Sequence, residues 1–561
     1  MLRLSCISFL VLLSACNNQT HNSAQQKKPD ATAKYAVASA HPLATQAGIT
    51  ILEQGGNAFD AAIAITAALA VVEPYSSGLG GGGFWLLHAA ESKQDIMLDA
   101  RETAPLAATR DMYIDAHGNP SNESVVGPLA AGIPGVPAAI VHLSEQFASL
   151  PLSETLAPAI QLARDGFKIS SRYQMLATIG KQKLSASPSA AKIFLHNGQV
   201  PEVGYVLKQT QLAKVLESIR DHGKAGFYQG EVAKKLVTGV QQAGGIWQLK
   251  DLQQYKVKQR AAITAQYKDL QIVSASLPSS GGIVLSQILN MLAEQNIDNM
   301  QQINRIHTIV EAMRRAYQDR AQYLGDIDYI DVPLTKLLSK KHAQDLFSSF
   351  NAQHATKLPI TQSERTEGND TTHFSILDAE GNYVAATLSI NYLFGSSFVA
   401  PDTGILLNNE MDDFSIQPGH ANLWGLVGNE ANAIEPGKRM LSSMSPTFLH
   451  HKDRTAILGT PGGSRIISMV LLASLAFEAG AGAETMVALP RYHHQFLPDE
   501  IQFETDAFNS AIQTGLTNLG HTLKPQSRNY GNMQVIIIDK SENKISAASD
   551  PRGIGNALVQ P

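Results

Sequence analysis

The sequence predicts an α/β protein in which long strands alternate with helices and glycines mark the turns. Apolar runs of strand length, such as residues 84–87 and 383–390, follow segments that contain glycine. Residues 306–324 carry apolar side chains with the 3.6-residue period of a helix, and residues 60–72 are apolar all round, as in a buried helix. The chain has 561 residues, 44% of them hydrophobic, so it is long enough to enclose a large core.

The overall composition excludes several classes of protein. The formal net charge is −5 with 17% charged residues, so neither a nucleic-acid partner nor an acidic membrane surface is indicated. The two cysteines, Cys6 and Cys16, both lie in the first 16 residues, so no disulfide framework holds the fold. The chain shows no internal repeat and no zinc-ligand spacing, and no metal site is expected.

The N-terminus is typical of a secretory signal. In residues 1–16 one Arg precedes a short apolar run and then small residues, a segment too short to remain as a membrane span. Residues 13–16, Leu-Ser-Ala-Cys, are similar to a bacterial lipobox, in which the cysteine (here Cys16) is lipidated; a plain cleaved signal is the alternative. Asn17 replaces the Asp that tends to keep lipoproteins at the inner membrane, so we expect an anchor at the periplasmic face of the outer membrane. Residues 17–33 are polar and indicate a disordered tether.

Two features of the N-terminal half stand out. Residues 78–83 hold five glycines, which predicts backbone packed against backbone or turns with positive φ. They lead into a strand and no Gly-Lys-Ser/Thr follows, so this is not a phosphate-binding loop. Arg101 follows a strand-like run beside acidic residues, a setting in which a lone Arg usually makes a surface ion pair of little energetic weight.

The most informative stretch is residues 369–391. A Glu-Gly-Asn turn joins two apolar runs there and predicts a β-hairpin. A loose polar segment, residues 352–368, precedes it. A cut between Asp370 and Thr371 would give Thr371 a free α-amino group with a pKa of about 7.7–8.0, a suitable base for its own hydroxyl. The alternative is that Thr371 and Thr372 are ordinary strand residues.

An acidic stretch and a long loop follow the hairpin. A predicted strand at residues 404–407 runs into acidic residues that include Glu410 and Asp413, but the spacing matches no calcium loop. Residues 415–440 are rich in Gly, Pro and Asn, and loops of that length are usually functional or disordered. Trp424 in this loop either covers a site or packs the loop down.

Two short polar motifs come next. Ser442 and Ser443 belong to a hydroxyl cluster, a composition most often found in turns. Gly462 and Gly463 precede an apolar helix predicted at residues 466–477. Consecutive backbone N–H groups at such a helix start form a natural oxyanion hole.

Taken together, these motifs resemble the gamma-glutamyltranspeptidase family. The resemblance rests on D-T-T-H-F-S-I-L-D at residues 370–378, S-I-N at 389–391 and N-N-x-M-D-D-F at 408–414, and it extends from about residue 34 to 552. It implies the four-layer αββα sandwich of N-terminal-nucleophile hydrolases. It also implies autocleavage between Asp370 and Thr371 into a large subunit (34–370) and a small subunit (371–561) that interleave in one catalytic domain.

The resemblance implies a role for each candidate residue. Thr371 is the nucleophile, Ser389 assists from across the hairpin where relatives often have Thr, and Gly462 with Gly463 holds the oxyanion. The residues implied to hold the substrate are Arg101, Ser442 and Ser443 for its α-carboxylate, Asn391, Glu410 and Asp413 for its α-amino group, and Trp424 as part of a lid. Relatives often have Gln at the position of Glu410, and many have Tyr at the position of Trp424.

The implied activity is cleavage of the γ-glutamyl amide of glutathione and related compounds, with transfer to water or to amino acid and peptide acceptors. No metal or organic cofactor is implied, and the implied partners are the two subunits themselves and a membrane reached only through the lipid. One alternative is a related amidase, such as a cephalosporin or glutaryl acylase, which has no use for an α-amino receptor like Asp413. The other is a non-enzymatic lipoprotein that binds γ-glutamyl peptides or cell-wall fragments.

Overall fold

The computed structural model describes residues 35–357, 371–417, 419–422 and 425–561. Strands before residue 358 are β1 (Tyr35–Ser39), β2 (Gly82–Ala89), β3 (Gln94–Ala100), β4 (Phe167–Lys168), β5 (Val206–Leu207), β6 (Lys258–Ala261), β7 (Ile263–Tyr267) and β8 (Leu270–Ser274). Strands after residue 370 are β9 (Thr372–Leu377), β10 (Tyr383–Ser389), β11 (Thr447–His451), β12 (Arg454–Gly459), β13 (Tyr492–His493), β14 (Ile501–Phe503), β15 (Leu523–Pro525), β16 (Gln534–Asp539), β17 (Lys544–Ser549) and β18 (Asn556–Gln560).

Most helices lie in the N-terminal part. They are α1 (Pro42–Glu53), α2 (Ala58–Val72), α3 (Val136–Gln146), α4 (Leu152–Thr155), α5 (Ala157–Asp165), α6 (Ser171–Ala186), α7 (Pro188–Phe194), α8 (Thr210–His222), α9 (Ala225–Tyr228), α10 (Gly230–Gln242), α11 (Leu249–Gln254), α12 (Gly281–Leu292), α13 (Gln302–Tyr323), α14 (Leu334–Leu337) and α15 (Lys340–Phe347). The later ones are α16 (Ile466–Glu478), α17 (Ala483–Ala488) and α18 (Ser510–Asn518). The helices predicted at residues 60–72, 306–324 and 466–477 are confirmed as α2, α13 and α16.

Two large antiparallel sheets form the centre of the fold. One has the strand order β18-β1-β9-β10-β2-β3-β6, and the other has the order β17-β16-β12-β11-β8-β7. Each sheet therefore mixes strands from both sides of residues 370 and 371. A chain cut there would leave two pieces that share both sheets and a common core.

The sheets and helices stack in four layers, as the fold-class prediction states. Helices α1 and α2 cover one face of the seven-stranded sheet, whose other face packs on the six-stranded sheet. Helices α12 and α16 cover the far side of the second sheet, and α13 packs on α12. All the residues of β9 and β10 are buried, because this hairpin has a helix layer on one face and a sheet on the other.

The glycine run at residues 78–83 brings backbones together around this hairpin. A Cβ on Gly81 would lie 2.2 Å from the carbonyl oxygen of Ser389, and one on Gly80 would lie 2.1 Å from that of Leu406. Neither glycine has a positive φ. Close packing, the first of the two predicted reasons, therefore explains the run.

The strand predicted at residues 404–407 is wrong. The segment makes only isolated bridges, Val399 with Leu406 and Gly80 with Leu407, and its apolar side chains are buried in the core without a continuous strand pairing. In the parts of the chain that the structure describes, no helix has the length and hydropathy needed to cross a membrane.

Candidate active site

The candidate nucleophile stands at the start of the central hairpin. Thr371 directly precedes β9 and is 6% exposed. Its Oγ1 lies 3.3 Å from Oγ of Ser389, the last residue of β10. The backbone N–H of Asn391 donates to Ser389 Oγ at 2.8 Å. The hairpin thus holds two hydroxyls side by side in the wall of a cavity of about 200 Å³.

The same cavity gathers most of the side chains that the sequence singled out. Besides Thr371 and Ser389, its lining includes Arg101, Asn391, Glu410, Asp413, Ser442, Ser443 and Gly463. These residues come from segments that are far apart in sequence. The candidate residues Cys16, Asp370 and Trp424 lie outside the described residues.

One buried guanidinium is the electrostatic centre of the cavity. Arg101 directly follows β3 and is 1% exposed. Its Nη1 lies 2.5 Å from Glu410 Oε2 and 3.5 Å from Glu102 Oε2, and its Nη2 lies 2.6 Å from Asp413 Oδ2. Its Nε donates to the carbonyl of Met440 at 3.3 Å. Three carboxylates therefore share one positive charge.

That excess of carboxylates changes their protonation. Burial raises the pKa of Glu410 to about 7, against the opposing effect of the Arg101 guanidinium, and nearby Asp413 adds to the rise. Burial, followed by the charge of Glu410, raises the pKa of Glu102 well above its usual range. Neither carboxylate oxygen of Glu102 has a hydrogen-bond partner among the described residues. The cluster therefore favours any added cation and retains protons when none is present.

The two adjacent aspartates have different surroundings. Asp412 is buried and accepts hydrogen bonds from Ser124 Oγ at 2.7 Å and from the Tyr392 hydroxyl at 2.6 Å. Asp413 faces Arg101 and is the more exposed of the two. The short 3₁₀ helix Glu410–Asp413 turns them apart. Asp412 thus holds the loop in place, while Asp413 remains accessible to a ligand.

Ser442 and Ser443 form another part of the cavity wall. Ser442 Oγ accepts a hydrogen bond from the backbone N–H of Met444 at 3.1 Å. Ser443 Oγ accepts one from Nη2 of Arg320 at 3.2 Å. A hydroxyl that accepts such a bond still has its own hydrogen to donate.

The candidate oxyanion hole lies at the start of α16. Gly462 and Gly463 have φ angles of 140° and 57° and lead into the 3₁₀ turn Gly463–Arg465. These positive φ values require glycine. Gly463 lines the cavity with Thr371, and Gly462 directly precedes it. Their backbone N–H groups lie at a helix N-terminus, where negative charge is stabilised.

The long loop also borders the site. Of its described residues, Ser415, Ile416, Gln417, His420, Ala421, Asn422, Leu426, Val427, Gly428 and Asn432 line the cavity. The prediction that this loop is functional agrees with that position. Asn391, in the left-handed region with φ 72°, donates from Nδ2 to the carbonyl of Asn409 at 3.0 Å, which ties the end of the hairpin to the acidic turn.

Sequence reasoning missed three buried charged residues. Glu102 is adjacent to Arg101 in sequence, and nothing in its local sequence distinguishes it from an exposed acid. Glu73 ends the apolar helix α2, and its Oε2 accepts from Thr372 Oγ1 at 2.7 Å. Arg320 lies on α13 in the same stripe as Ile309 and Met313. A charge at a core position of a periodic helix is the signal that would have identified Arg320.

Comparison with known proteins gives a consistent result. A family model described as gamma-glutamyltranspeptidase matches residues 44–560. A glutathione hydrolase proenzyme of Escherichia coli is 39% identical over 529 residues, which cover 92% of this chain and 90% of that protein.

Two solved structures extend the comparison. A cephalosporin acylase from Bacillus halodurans has a TM-score of 0.84 at 26% identity and covers 98% of this chain and 99% of that one. The gamma-glutamyltranspeptidase of Helicobacter pylori has a TM-score of 0.55 at 39% identity, over 57% of this chain and 92% of that one.

Proposed function

Because the chain belongs to the gamma-glutamyltranspeptidase family, we propose that it is a glutathione hydrolase with γ-glutamyltransferase activity. The observation that carries the proposal is the pairing of a threonine hydroxyl with a site for an amino-acid head group in one cavity. Arg101, Ser442 and Ser443 suit an α-carboxylate, while Asp413 and Glu410 suit an α-ammonium. A γ-glutamyl compound carries both groups at one end and its scissile amide at the other.

Maturation is the first chemical step of the proposal. In the uncut chain the nitrogen of Thr371 is an amide and cannot act as a base. Thr371 Oγ1 attacks the Asp370 carbonyl, an N-to-O shift gives an ester, and water hydrolyses it. Ser389, 3.3 Å from Thr371 Oγ1, is placed to assist. The products are a large subunit that ends at residue 370 and a small subunit, residues 371–561, which stay together through the shared sheets.

The mature site then acts on the substrate. The zwitterionic head group replaces the internal pair between Arg101 and Asp413, so that each charge exchanges one partner for another. The freed α-amino group of Thr371 takes the hydroxyl proton as Oγ1 attacks the γ-carbonyl. The N–H groups of Gly462 and Gly463 stabilise the oxyanion. The amine leaves with the proton, and water or an acceptor amine then cleaves the γ-glutamyl ester.

The acylase alternative has support from one structural likeness, since the cephalosporin acylase shares the whole fold. Asp413 and Glu410 argue against it, because a glutaryl side chain has no ammonium to neutralise them. Relative kcat/KM on γ-glutamyl-p-nitroanilide and glutaryl-p-nitroanilide separates the two functions. A γ-glutamyl preference supports the proposal, and a glutaryl preference contradicts it.

Thr371→Ala tests the nucleophile and the maturation together. We expect a single full-length band on a denaturing gel and no γ-glutamyl turnover, because both reactions need the hydroxyl. Thr371→Ser is the matched control: it keeps a hydroxyl, and should still cut itself and turn over substrate more slowly. A new N-terminus at residue 371 in the alanine variant would show that cleavage does not depend on this side chain. A wild-type protein that never cuts itself and only binds γ-glutamyl peptides would favour the non-enzymatic alternative.

We also propose that Cys16 is lipidated and anchors the enzyme on the periplasmic side of the outer membrane. The lipobox-like residues 13–16 and the polar tether after them support this. Cys16→Ser should move the protein from the membrane fraction to the soluble envelope fraction with its activity unchanged. Wild-type protein that is soluble and carries no lipid on its N-terminus would refute the anchor.

A further inference from the structure

A second buried guanidinium lines the cavity. Arg320 belongs to the last turn of α13 and is 5% exposed. Its Nε donates to Ser280 Oγ at 2.9 Å and its Nη2 donates to Ser443 Oγ at 3.2 Å. Across the described parts of the chain it forms no ion pair with a carboxylate. Burial of an unpaired charge is costly, and Arg320 therefore differs from Arg101, which three carboxylates approach.

The contacts of Arg320 decide how the Ser443 hydroxyl is oriented. A hydroxyl has one hydrogen and two acceptor lone pairs. Because Arg320 occupies one lone pair of Ser443, the hydroxyl hydrogen of Ser443 turns away from the guanidinium. Ser443 lines the cavity, so this hydrogen is available to an acceptor placed there.

The other end of Arg320 supports the neighbouring residue. Ser280 Oγ accepts from Arg320 and donates to the carbonyl of Ser442 at 2.7 Å, and the Ser280 backbone N–H donates to the same carbonyl at 2.9 Å. The Ser442 N–H donates to the Pro278 carbonyl at 2.8 Å. Arg320 and the turn at Pro278–Ser280 therefore fix both serines from the large-subunit side.

The local charge balance gives Arg320 a second effect. The Arg101 guanidinium is already compensated by Glu410 and Asp413. A substrate carboxylate that takes the place of Asp413 on Arg101 still lies near the charge of Glu410, so further positive charge nearby stabilises it. Arg320 supplies that charge from behind the two serines.

We propose that Arg320 is a positioning residue that sets specificity for the α-carboxylate of the γ-glutamyl donor. It acts by orienting the Ser443 hydroxyl and by adding positive charge behind Ser442 and Ser443. This inference rests on the proposed function and adds a determinant to it.

The test compares two donors that differ in one group. γ-Glutamyl-p-nitroanilide has the α-carboxylate, and 4-aminobutyryl-p-nitroanilide lacks it but keeps the amine. We expect Arg320→Gln to raise KM for the γ-glutamyl anilide about tenfold or more, the scale of a hydrogen bond to a charged group, with a smaller change in kcat. Kinetic constants for the 4-aminobutyryl anilide should change less than about twofold.

Matched variants separate positioning from folding. Arg320→Lys keeps the charge but loses the forked contact, so its KM should fall between wild type and Arg320→Gln; it also serves if Arg320→Gln does not mature. In a Ser443→Ala background, Arg320→Gln should raise KM by a smaller factor than in wild type, because its main contact is already gone. Arg305→Gln, on the first turn of the same helix and partly exposed, should leave both donors unaffected.

The outcomes are distinct. Equal losses on both donors, or fully additive effects of the Arg320 and Ser443 substitutions, would overturn the inference and leave the proposed function standing. A wild-type enzyme that cuts neither donor, or does not prefer the γ-glutamyl one, would overturn the proposed function and this inference with it.

Discussion

Two buried glutamates, Glu311 and Glu410, belong to different charge clusters, and their pKa values shift in opposite directions. Glu311, on α13, lies between two guanidiniums: Oε1 is 3.1 Å from Arg314 Nε, and Oε2 is 2.6 Å from Arg315 Nη1. Thr356 adds hydrogen bonds from its hydroxyl at 2.6 Å and its N–H at 3.2 Å. Burial alone raises the pKa of Glu311, but Arg314, Thr356 and Arg315 outweigh it and lower the pKa to about 2.

Glu410 is equally buried but has the opposite balance. Its cationic partner Arg101 is shared with Asp413 and lies near Glu102. Burial therefore dominates and raises the pKa of Glu410 to about 7. Two guanidiniums contact the carboxylate of Glu311, whereas Glu410 shares one guanidinium with two other carboxylates.

The difference separates a structural charge cluster from a binding one. The Glu311 cluster (Glu311, Arg314, Arg315 and Thr356) ties α13 to the last described residues before position 358 and is satisfied without a ligand. The cavity cluster (Arg101, Glu102, Glu410 and Asp413) is under-compensated and becomes satisfied when an ammonium enters. A perturbed carboxylate in a cleft is the usual mark of a functional site.

Substitution of Asp413 should have the largest effect on the cavity side of this comparison. Asp413→Asn keeps the shape and removes one charge from the ammonium site. An ammonium left without its partner costs roughly 3–5 kcal/mol, or about 10²–10³-fold or more in kcat/KM for γ-glutamyl anilide. A glutaryl anilide has no ammonium and should lose little.

Self-cleavage should survive in Asp413→Asn, since Asp413 faces the substrate and not the scissile peptide bond. The measurement is kcat/KM on matched γ-glutamyl and glutaryl anilides. The band pattern on a denaturing gel shows whether the variant still cleaves itself. Equal losses on both anilides would place Asp413 in support of the fold or the nucleophile and remove it from the ammonium site.

Substitution of Glu311 should have the reverse consequence, a loss of stability with normal specificity. Among the described residues, Glu311→Gln leaves Arg315 without a carboxylate partner and Arg314 with only Asp499, which should destabilise the fold by about 3 kcal/mol. The urea midpoint should fall, while the ratio of γ-glutamyl to glutaryl kcat/KM stays as in wild type. Glu231→Gln removes the acid of an exposed pair with Lys234 and should change stability by less than 1 kcal/mol. A changed substrate ratio in Glu311→Gln would mean that the two clusters are coupled.

The sequence predicts elements whose signal is local. The hairpin followed from its Glu-Gly-Asn turn, and α2 and α13 followed from the spacing of apolar residues. The strand expected at residues 404–407 is wrong because this apolar segment is buried in the core with only isolated bridges, and periodicity cannot distinguish such a segment from a strand. Motif similarity placed Arg101, Glu410 and Asp413 in one cavity.

The balance of charge could not be predicted in the same way. A motif names Arg101 and Asp413, but the 2.6 Å contact between them depends on segments more than 300 positions apart. The same is true of Glu102, which has no distinctive sequence signal and whose carboxylate has no hydrogen-bond partner among the residues that the structure describes. The pKa of each carboxyl group depends on its burial and on all the charges near it in space. Those surroundings are set only when the chain folds.

The smallest expected effect is the pH dependence of the free energy of unfolding. It has opposite signs for the two clusters and therefore distinguishes them most directly. The pKa of Glu311 is lowered from 4.5 to about 2, so its stabilising contribution is complete above about pH 4.5 and is lost as pH falls toward 2. The pKa of Glu410 is raised from 4.5 to about 7, so its contribution is complete below about pH 4.5 and is lost as pH rises toward 7. Each group changes the free energy of unfolding by at most about 1.4 kcal/mol per pH unit.

Urea midpoints from about pH 3 to 8, measured in the uncut Thr371→Ala chain, should therefore respond differently to two added substitutions. Glu311→Gln should remove a rise in the acid range, and Glu410→Gln should remove a decline between about pH 5 and 7. In the active enzyme, Glu410→Gln should remove any inflection near pH 7 that Glu410 causes in the pH profile of kcat/KM. The inflection caused by the α-amino group of Thr371 should remain. Parallel pH profiles for the two variants would mean that Glu410 is ionised at every pH tested, and that the cavity cluster is not short of positive charge.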